Sequence, residues 1–313
     1  MKVGVVGTGA VGCACANSLV MRGSARDIVL VDRTSARAKA VATDIRYGTP
    51  LFARVAISDG PYEALGGAGI VLVTVGINEK TGGATDRSDP AGRLRLLKTN
   101  VAIYQDVIPQ IVRAAPSAVI LVVTDPPDPL ADVARKLAGH NRVLSAGTFL
   151  DSLRFRVHLA QRLGIGPGGI AAQVIGEHGT SQVFLWSCAR IAGASVREVL
   201  TQRGWPYDTF RREIEQDVRY ANITIIEGNN ASQFGIGMVS ARIAEMVLRD
   251  ERAVVTIGSY NPRYGVTLSL PSVIGREGVR EIFDPDMSED ERAALKHSAE
   301  SLKQALEHAS QTR

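Results

Sequence analysis

The chain has 313 residues, 45% of them apolar and 22% charged, with 36 Lys and Arg against 32 Asp and Glu for a net charge of +4. At roughly 150 residues per domain that length suggests two domains, and the composition excludes disorder, collagen-like repeats and a disulfide scaffold. The basic excess is small and scattered, so it makes no stripe for nucleic acid. Glycine stands out, with 31 residues.

Residues 1–146 alternate short β-branched runs with helical patterns. Val3–Val6, Asp27–Val31, Ile70–Val75 and Ala118–Val123 are continuous apolar runs, as expected of parallel strands buried on both faces. Between them Val11, Cys15 and Leu19, and later Ile103, Val107 and Ile111, recur at helical spacing. Repeated strand–helix–strand units predict an α/β fold with a doubly wound parallel Rossmann sheet. Residues 77–93, polar and glycine-rich, are expected to form a long lid loop between a strand and a helix.

From residue 147 to 313 the rhythm shifts to longer helices and short strands, expected to form an α+β substrate-binding and catalytic domain. There Ser288–Glu291 reads as a capping box, followed by a buried stripe of Leu295, Ala299, Leu302 and Leu306. The three cysteines, Cys13, Cys15 and Cys188, offer neither a pairing set nor metal spacing, and are expected as small buried side chains. No metal site is expected. No apolar run approaches the roughly 18 residues of a membrane helix. Met1-Lys2 runs straight into a strand pattern, so a cytoplasmic location is expected.

Gly7-Thr8-Gly9-Ala10-Val11-Gly12 follows the first strand and opens the first helix. The first glycine makes the tight turn, the second lets backbone approach a pyrophosphate, and the third lets helix pack on sheet. Asp32 ends the next strand 20 residues after Gly12, where a carboxylate bonds the ribose hydroxyls and repels a 2′-phosphate. NAD is therefore the expected cofactor. Val75 and Gly76 after the third apolar run, and Thr124 after the fourth, are further candidates for its site.

At the junction of the two halves lies Gly147-Thr148-Phe149-Leu150-Asp151-Ser152-Leu153-Arg154. On a helix, Asp151 and Arg154 share a face. His178, between Glu177 and Gly179 in Gly176-Glu177-His178-Gly179, follows a strand-like segment at Ala171–Ile175. Paired with Asp151, such a histidine can exchange a proton near neutral pH, while Arg154 can grip a carboxylate with two parallel bonds.

With GTGAVG, the Asp closing IVLVD, GTFLDSLRFR, IGEHG and the C-terminal REGVREI and KHSAESLK, the chain resembles the L-lactate/malate dehydrogenase superfamily nearly end to end. The resemblance implies an NAD-dependent 2-hydroxy acid dehydrogenase. His178 would be the acid/base, Asp151 its orienting partner and Arg154 the carboxylate clamp. Arg93 would polarise the substrate carbonyl as the lid closes. Ser232 stands where lactate enzymes commonly carry a threonine. The resemblance also implies a homodimer or homotetramer.

Three departures bear on the substrate. Asp125, in Thr124-Asp125-Pro126, replaces the family's usual asparagine, and an ionised carboxylate cannot donate to a substrate oxygen. Glu79 holds the specificity position and would repel a second carboxylate, which disfavours malate. The lid is about eight residues longer than the usual lactate-type loop. A lactate-like acid is thus expected first. An unusual larger or polyhydroxylated 2-hydroxy acid is the next alternative, and a non-catalytic NAD-binding protein follows it. An NAD-using glycosidase would need a Cys/His metal constellation that the sequence lacks.

Overall fold

The structure is a computed structural model that describes residues 1–52, 54–77, 80, 82 and 95–311. In the first half, strands β1 (Lys2–Val6), β2 (Asp27–Val31), β3 (Ala56–Asp59), β4 (Ile70–Val73), β5 (Val119–Val122) and β6 (Val143–Ser145) alternate with helices. These are α1 (Ala10–Arg22), α2 (Ser35–Gly48), α3 (Arg95–Ala114) and α4 (Pro127–Ala138). All six strands pair in parallel, in the spatial order β6-β5-β4-β1-β2-β3. The apolar runs are buried because both faces of the sheet are covered. On one face Val3, Val5 and Ile28 meet Leu19 of α1. On the other, Val71, Val73, Ile120 and Val122 meet Tyr104, Ile108, Ile111 and Leu130 of α3 and α4.

Helix α5 (Phe149–Leu163) opens the second half. It is followed by the short strands β7 (Ile170–Ala171), β8 (Val174–Ile175), β9 (Val183–Phe184), β10 (Arg190–Ile191) and β11 (Ala194–Ser195). Helices α6 (Val196–Gln202), α7 (Tyr207–Arg219), α8 (Ala221–Asn229) and α9 (Phe234–Leu248) come next. The chain then forms β12 (Ala253–Asn261), β13 (Val266–Gly275), β14 (Gly278–Ile282) and α10 (Glu289–Gln311). The strand pattern at Ala171–Ile175 is divided between two sheets: β7 pairs with Arg190–Ile191, and β8 pairs with Val183–Phe184.

The last three strands join the first-half sheet. Gly258 of β12 lies antiparallel to Ser145 of β6, giving nine strands in the order β14-β13-β12-β6-β5-β4-β1-β2-β3. Helix α9 packs on α1, and Ile243 and Val247 enter the first core. Their contact is close because a Cβ on Gly237 would lie 2.7 Å from the Ala14 carbonyl carbon. The capping box forms as read: Ser288 N donates to Glu291 Oε2 at 3.0 Å and Glu291 N to Ser288 Oγ at 3.3 Å. Leu295, Ala299 and Leu302 are buried, and Leu306 partly so. Of the cysteines, all free, only Cys15 is buried. Cys13 and Cys188 are half-buried, Cys13 because it lies in the first turn of α1 with its thiol 3.3 Å from the Thr8 carbonyl.

Strand order reverses between β1 and β4, the topological switch point at whose carboxyl ends a crevice opens. The glycine turn after β1 and Thr74, Gly76 and Ile77 after β4 line that crevice.

Candidate active site

The glycine turn is shaped by three different constraints. Gly7 adopts φ +99°, and its amide donates to the Val31 carbonyl at 2.8 Å. A Cβ at Gly12 would sit 2.0 Å from the Gly7 carbonyl oxygen, so a side chain there would force α1 off the sheet. Gly9 caps α1 with no side-chain bond to the first-turn amides, and a Cβ there would meet nothing within 4 Å. The turn therefore presents open backbone and free helix N–H groups, a cradle for a pyrophosphate.

Thr8 is fully buried and turned away from that cradle. Its backbone N and its Oγ1 both donate to Asp32 Oδ2 at 2.8 Å, while Thr34 N donates to Asp32 Oδ1 at 2.9 Å. Burial acts to push the Asp32 carboxyl up. The bonds from Thr34 and Thr8, with the field of Arg37, hold it below the usual carboxylate range. Asp32 is thus an oriented, ionised acid at the end of β2, as a ribose diol requires. These features fit the adenosine and pyrophosphate portions of NAD.

His178, Asp151 and Arg154 come together where α5 meets the segment after β8. Asp151 lies in the first turn of α5 and is 1% exposed. Its Oδ2 is 2.5 Å from His178 Nδ1, and its Oδ1 accepts from Arg154 Nη1 at 3.0 Å. Arg154 Nη2 reaches Ser232 Oγ at 3.5 Å. One buried carboxylate therefore orients both the imidazole and the guanidinium, and His178 lines the crevice.

The backbone of this turn is held from behind. Gly176, at φ +83°, exchanges two backbone bonds with Ser269 of β13 at 2.8 and 2.9 Å. Glu177 N donates to Ser298 Oγ at 2.8 Å, and His178 N to Asp128 Oδ2 at 2.7 Å. Asp128, wholly buried in α4, also accepts from Ser145 Oγ at 2.6 Å. Burial pushes its carboxyl up to about 7, against the lowering effect of the bonds from Ser145 and His178.

The crevice wall contains Gly9, Ala10, Val11, Gly76, Thr124, Asp125, Arg154, His178 and Ser232 of the residues expected from sequence. Gly7, Thr8, Gly12, Asp32, Val75 and Asp151 lie outside the wall; Thr8 and Asp151 support it as just described. Thr124 Oγ1 donates to the Val75 carbonyl at 2.7 Å, tying the loops after β4 and β5 together. Glu79 and Arg93 lie outside the described residues. The sequence reading missed Asp128, Asn100 and Asn222. Asn100 of α3 accepts from Ile77 N at 2.9 Å and donates to the Asp125 carbonyl at 2.9 Å. Asn222 of α8 is 4% exposed and lines the crevice beside Ser232. No local signal in the sequence set Asn222 apart, since its helix also carries Thr224, Glu227 and Asn229.

Comparison with known proteins follows the two halves of the chain. Residues 1–145 match the family model "lactate/malate dehydrogenase, NAD binding domain", and residues 148–312 match "lactate/malate dehydrogenase, alpha/beta C-terminal domain". The chain is 44% identical over 300 residues to an L-lactate dehydrogenase of Deinococcus radiodurans, covering 96% of each. It is 42% identical over 314 residues to one of Thermus aquaticus, covering 97% of this chain and 98% of the relative. A crystal structure of a lactate dehydrogenase from a Medee basin deep-sea metagenome library superposes with a TM-score of 0.90 at 32% identity, covering 99% of this chain and 98% of the other.

Proposed function

The chain belongs to the lactate/malate dehydrogenase family, and we propose that it interconverts an L-2-hydroxy acid and its 2-keto acid with NAD, a lactate-like acid first. The chemistry that NAD supplies when bound is hydride exchange with C2 of the substrate. The chain would hold it with the Gly7–Gly12 turn and with Asp32.

The observation that carries this reading is the shared carboxylate of Asp151. By accepting from His178 Nδ1 it fixes the tautomer and supports an imidazolium, so Nε2 can give a proton to the substrate oxygen or take one from it. By accepting from Arg154 Nη1 it holds the guanidinium toward Ser232, where it can bind the substrate carboxylate. In the direction of keto-acid reduction, His178 enters protonated and leaves neutral, and the positive charges of His178 and Arg154 stabilise the developing alkoxide. Arg93 as the carbonyl-polarising group and Glu79 as the barrier to a second carboxylate rest on the sequence resemblance.

A polyhydroxylated 2-hydroxy acid is the second reading. Asp125 and Asn222 support it, because both are polar residues that line the same crevice as Ser232. The division near residue 146 enters the proposal as a cofactor-holding half followed by a half that supplies His178, Asp151 and Arg154. A cytoplasmic site of action fits three free cysteines, and a homodimer or homotetramer is the proposed assembly. Among the described residues no helix is long and apolar enough to cross a membrane.

The test is NADH consumption with pyruvate, oxaloacetate, longer 2-keto acids and polyhydroxylated 2-keto acids. Turnover is expected with pyruvate above oxaloacetate. Tight NADH binding with no turnover on any acid would instead make the protein a non-catalytic binder.

A further inference from the structure

The backbone around His178 is anchored unevenly. Up to His178 it is tied to three elements: Gly176 to β13, Glu177 to Ser298 of α10, and His178 N to Asp128 of α4. Beyond His178 the polypeptide crosses to β9; there Ser181 Oγ lies 3.1 Å from Ser298 Oγ of α10, and two backbone carbonyls are held by a side chain from another part of the fold. Arg219, the last residue of α7, donates from Nη1 to the Thr180 carbonyl and from Nη2 to the Gln182 carbonyl at 3.5 Å. Its guanidinium also stands 5.5 Å from the centre of the Phe184 ring, a core side chain of β9.

The placement of Arg219 follows from its helix. Phe210, Ile214 and Val218 bury one stripe of α7 against Phe155 and Leu159 of α5, the helix that carries Asp151 and Arg154. With Val218 docked there, the next residue emerges at the helix end beside the turn. A cation at that end is favoured by the helix dipole. Burial lowers the Arg219 pKa, while the carboxylates of Glu215, Glu177 and Asp151 act in the opposite sense. Arginine stays charged under such lowering, so a fixed positive charge sits within the field of the Asp151 carboxylate.

We propose that Arg219 is a positioning residue for the acid/base histidine: its fork clamps the Thr180 and Gln182 carbonyls, and its charge moderates the hold of Asp151 on the imidazolium. This rests on the dehydrogenase reading only for the activity readout. Among the described residues, the charged or titratable groups around His178 include Asp151 and Arg154 from α5, Asp128 from α4, Glu177 from its own turn, Asp125 from the crevice wall and Arg219 from α7. Removing one cation from that set strengthens the net pull of the carboxylates and raises the His178 pKa. Replacing arginine by lysine keeps the charge and loses the two-carbonyl fork.

The experiment compares Arg219→Gln and Arg219→Lys by NMR titration of the His178 imidazole in the intact protein, and by the pH profile of kcat/KM. Thermal unfolding checks that each variant folds. In Arg219→Gln the His178 pKa is expected to rise by about half a unit or more. Its kcat/KM for the keto acid is expected to fall on the order of tenfold, through kcat rather than through KM for NADH. Arg219→Lys is expected to keep the wild-type pKa and recover only part of kcat. An unchanged pKa in Arg219→Gln, or a full rescue of kcat by lysine, overturns the proposal. If Arg219→Gln does not fold, Arg219→Lys decides through kcat. Because the NMR titration needs no turnover, a pKa shift in a protein that turns over no keto acid would sink the dehydrogenase reading and leave the positioning role standing.

Discussion

His178 Nδ1 and Asp151 Oδ2 lie 2.5 Å apart, and the second oxygen of the same carboxylate is 3.0 Å from Arg154 Nη1. In the proposed chemistry, proton exchange and carboxylate binding therefore share a single buried anion. Asp151→Asn removes the counter-ion of both groups. It is expected to lower kcat for 2-keto acid reduction by about 10² to 10⁴-fold and to raise KM for the keto acid. Steady-state kinetics with NADH check this, with NADH affinity, measured by fluorescence, unchanged. A variant with wild-type kcat would show that Asp151 does not serve the proton transfer.

Asp128 gives the protein a pH dependence of unusual sign. Its carboxyl titrates at about 7 in the fold, because burial pushes it up. In the unfolded chain an aspartate titrates at about 3.9. Between those values the native state binds the extra proton, so the contribution of Asp128 to stability is full below about pH 4 and is lost as pH rises to about 7. Denaturant unfolding of wild type and Asp128→Asn should show the wild type losing ground to the variant from pH 5 to pH 8. A constant difference would contradict this linkage.

Asp32 behaves in the opposite way. With bonds from Thr8 and Thr34, and Arg37 nearby, its carboxyl lies below the usual range and stays ionised across neutral pH. Preference for NADH over NADPH should therefore be flat from pH 6 to pH 9. Removing the charge in Asp32→Ser should shift the NADPH to NADH ratio of kcat/KM by on the order of 10²-fold, since close like charges cost several kcal/mol. Preference for NADPH in the unaltered protein would refute the cofactor reading.

Asp125 tests substrate selection. If its carboxylate recognises hydroxyl groups, Asp125→Asn should reduce kcat/KM on a polyhydroxylated 2-keto acid by roughly tenfold, the scale of one charged hydrogen bond. Pyruvate turnover should not fall. A gain with pyruvate and no change with any other acid would remove Asp125 from the selectivity account.

Gly12→Ala tests the packing of the cofactor turn. The added methyl would lie 2.0 Å from the Gly7 carbonyl oxygen, backbone that cannot yield as a side-chain tip can. A loss of about 1–3 kcal/mol in stability is expected, together with weakened NADH binding. Thermal unfolding and NADH fluorescence titration measure the two effects. Wild-type NADH affinity would show that the turn tolerates a shifted helix.

Much of the parallel sheet was legible in the sequence, because strands buried on both faces must be continuous apolar runs and glycine turns must carry glycine. Val3–Val6 and Asp27–Val31 needed no partner information to be recognised. The pairing of Asp151 with Arg154 was legible too, since three residues on a helix fix their common face. His178 in a glycine turn and Asp151 on a helix were visible as candidates. Their separation of 27 residues left the 2.5 Å contact to the packing of α5 beside β8.

Other features depend on contacts that no local pattern encodes. That β12 to β14 would extend the first-half sheet was decided by the pairing of Gly258 with Ser145 across more than 100 residues. Asp128 and Arg219 read alone as ordinary helix charges. One became the acceptor for the His178 amide and the other a clamp on the carbonyls beyond it. The large glycine content separates along the same line. Gly7 and Gly12 were required by the turn they make, whereas Gly237 is required by α1, a helix more than 200 residues away that meets it only in the folded chain. Sequence periodicity determined which elements form and which faces they bury. The tertiary structure decided which charges meet, because burial and long-range packing set those distances.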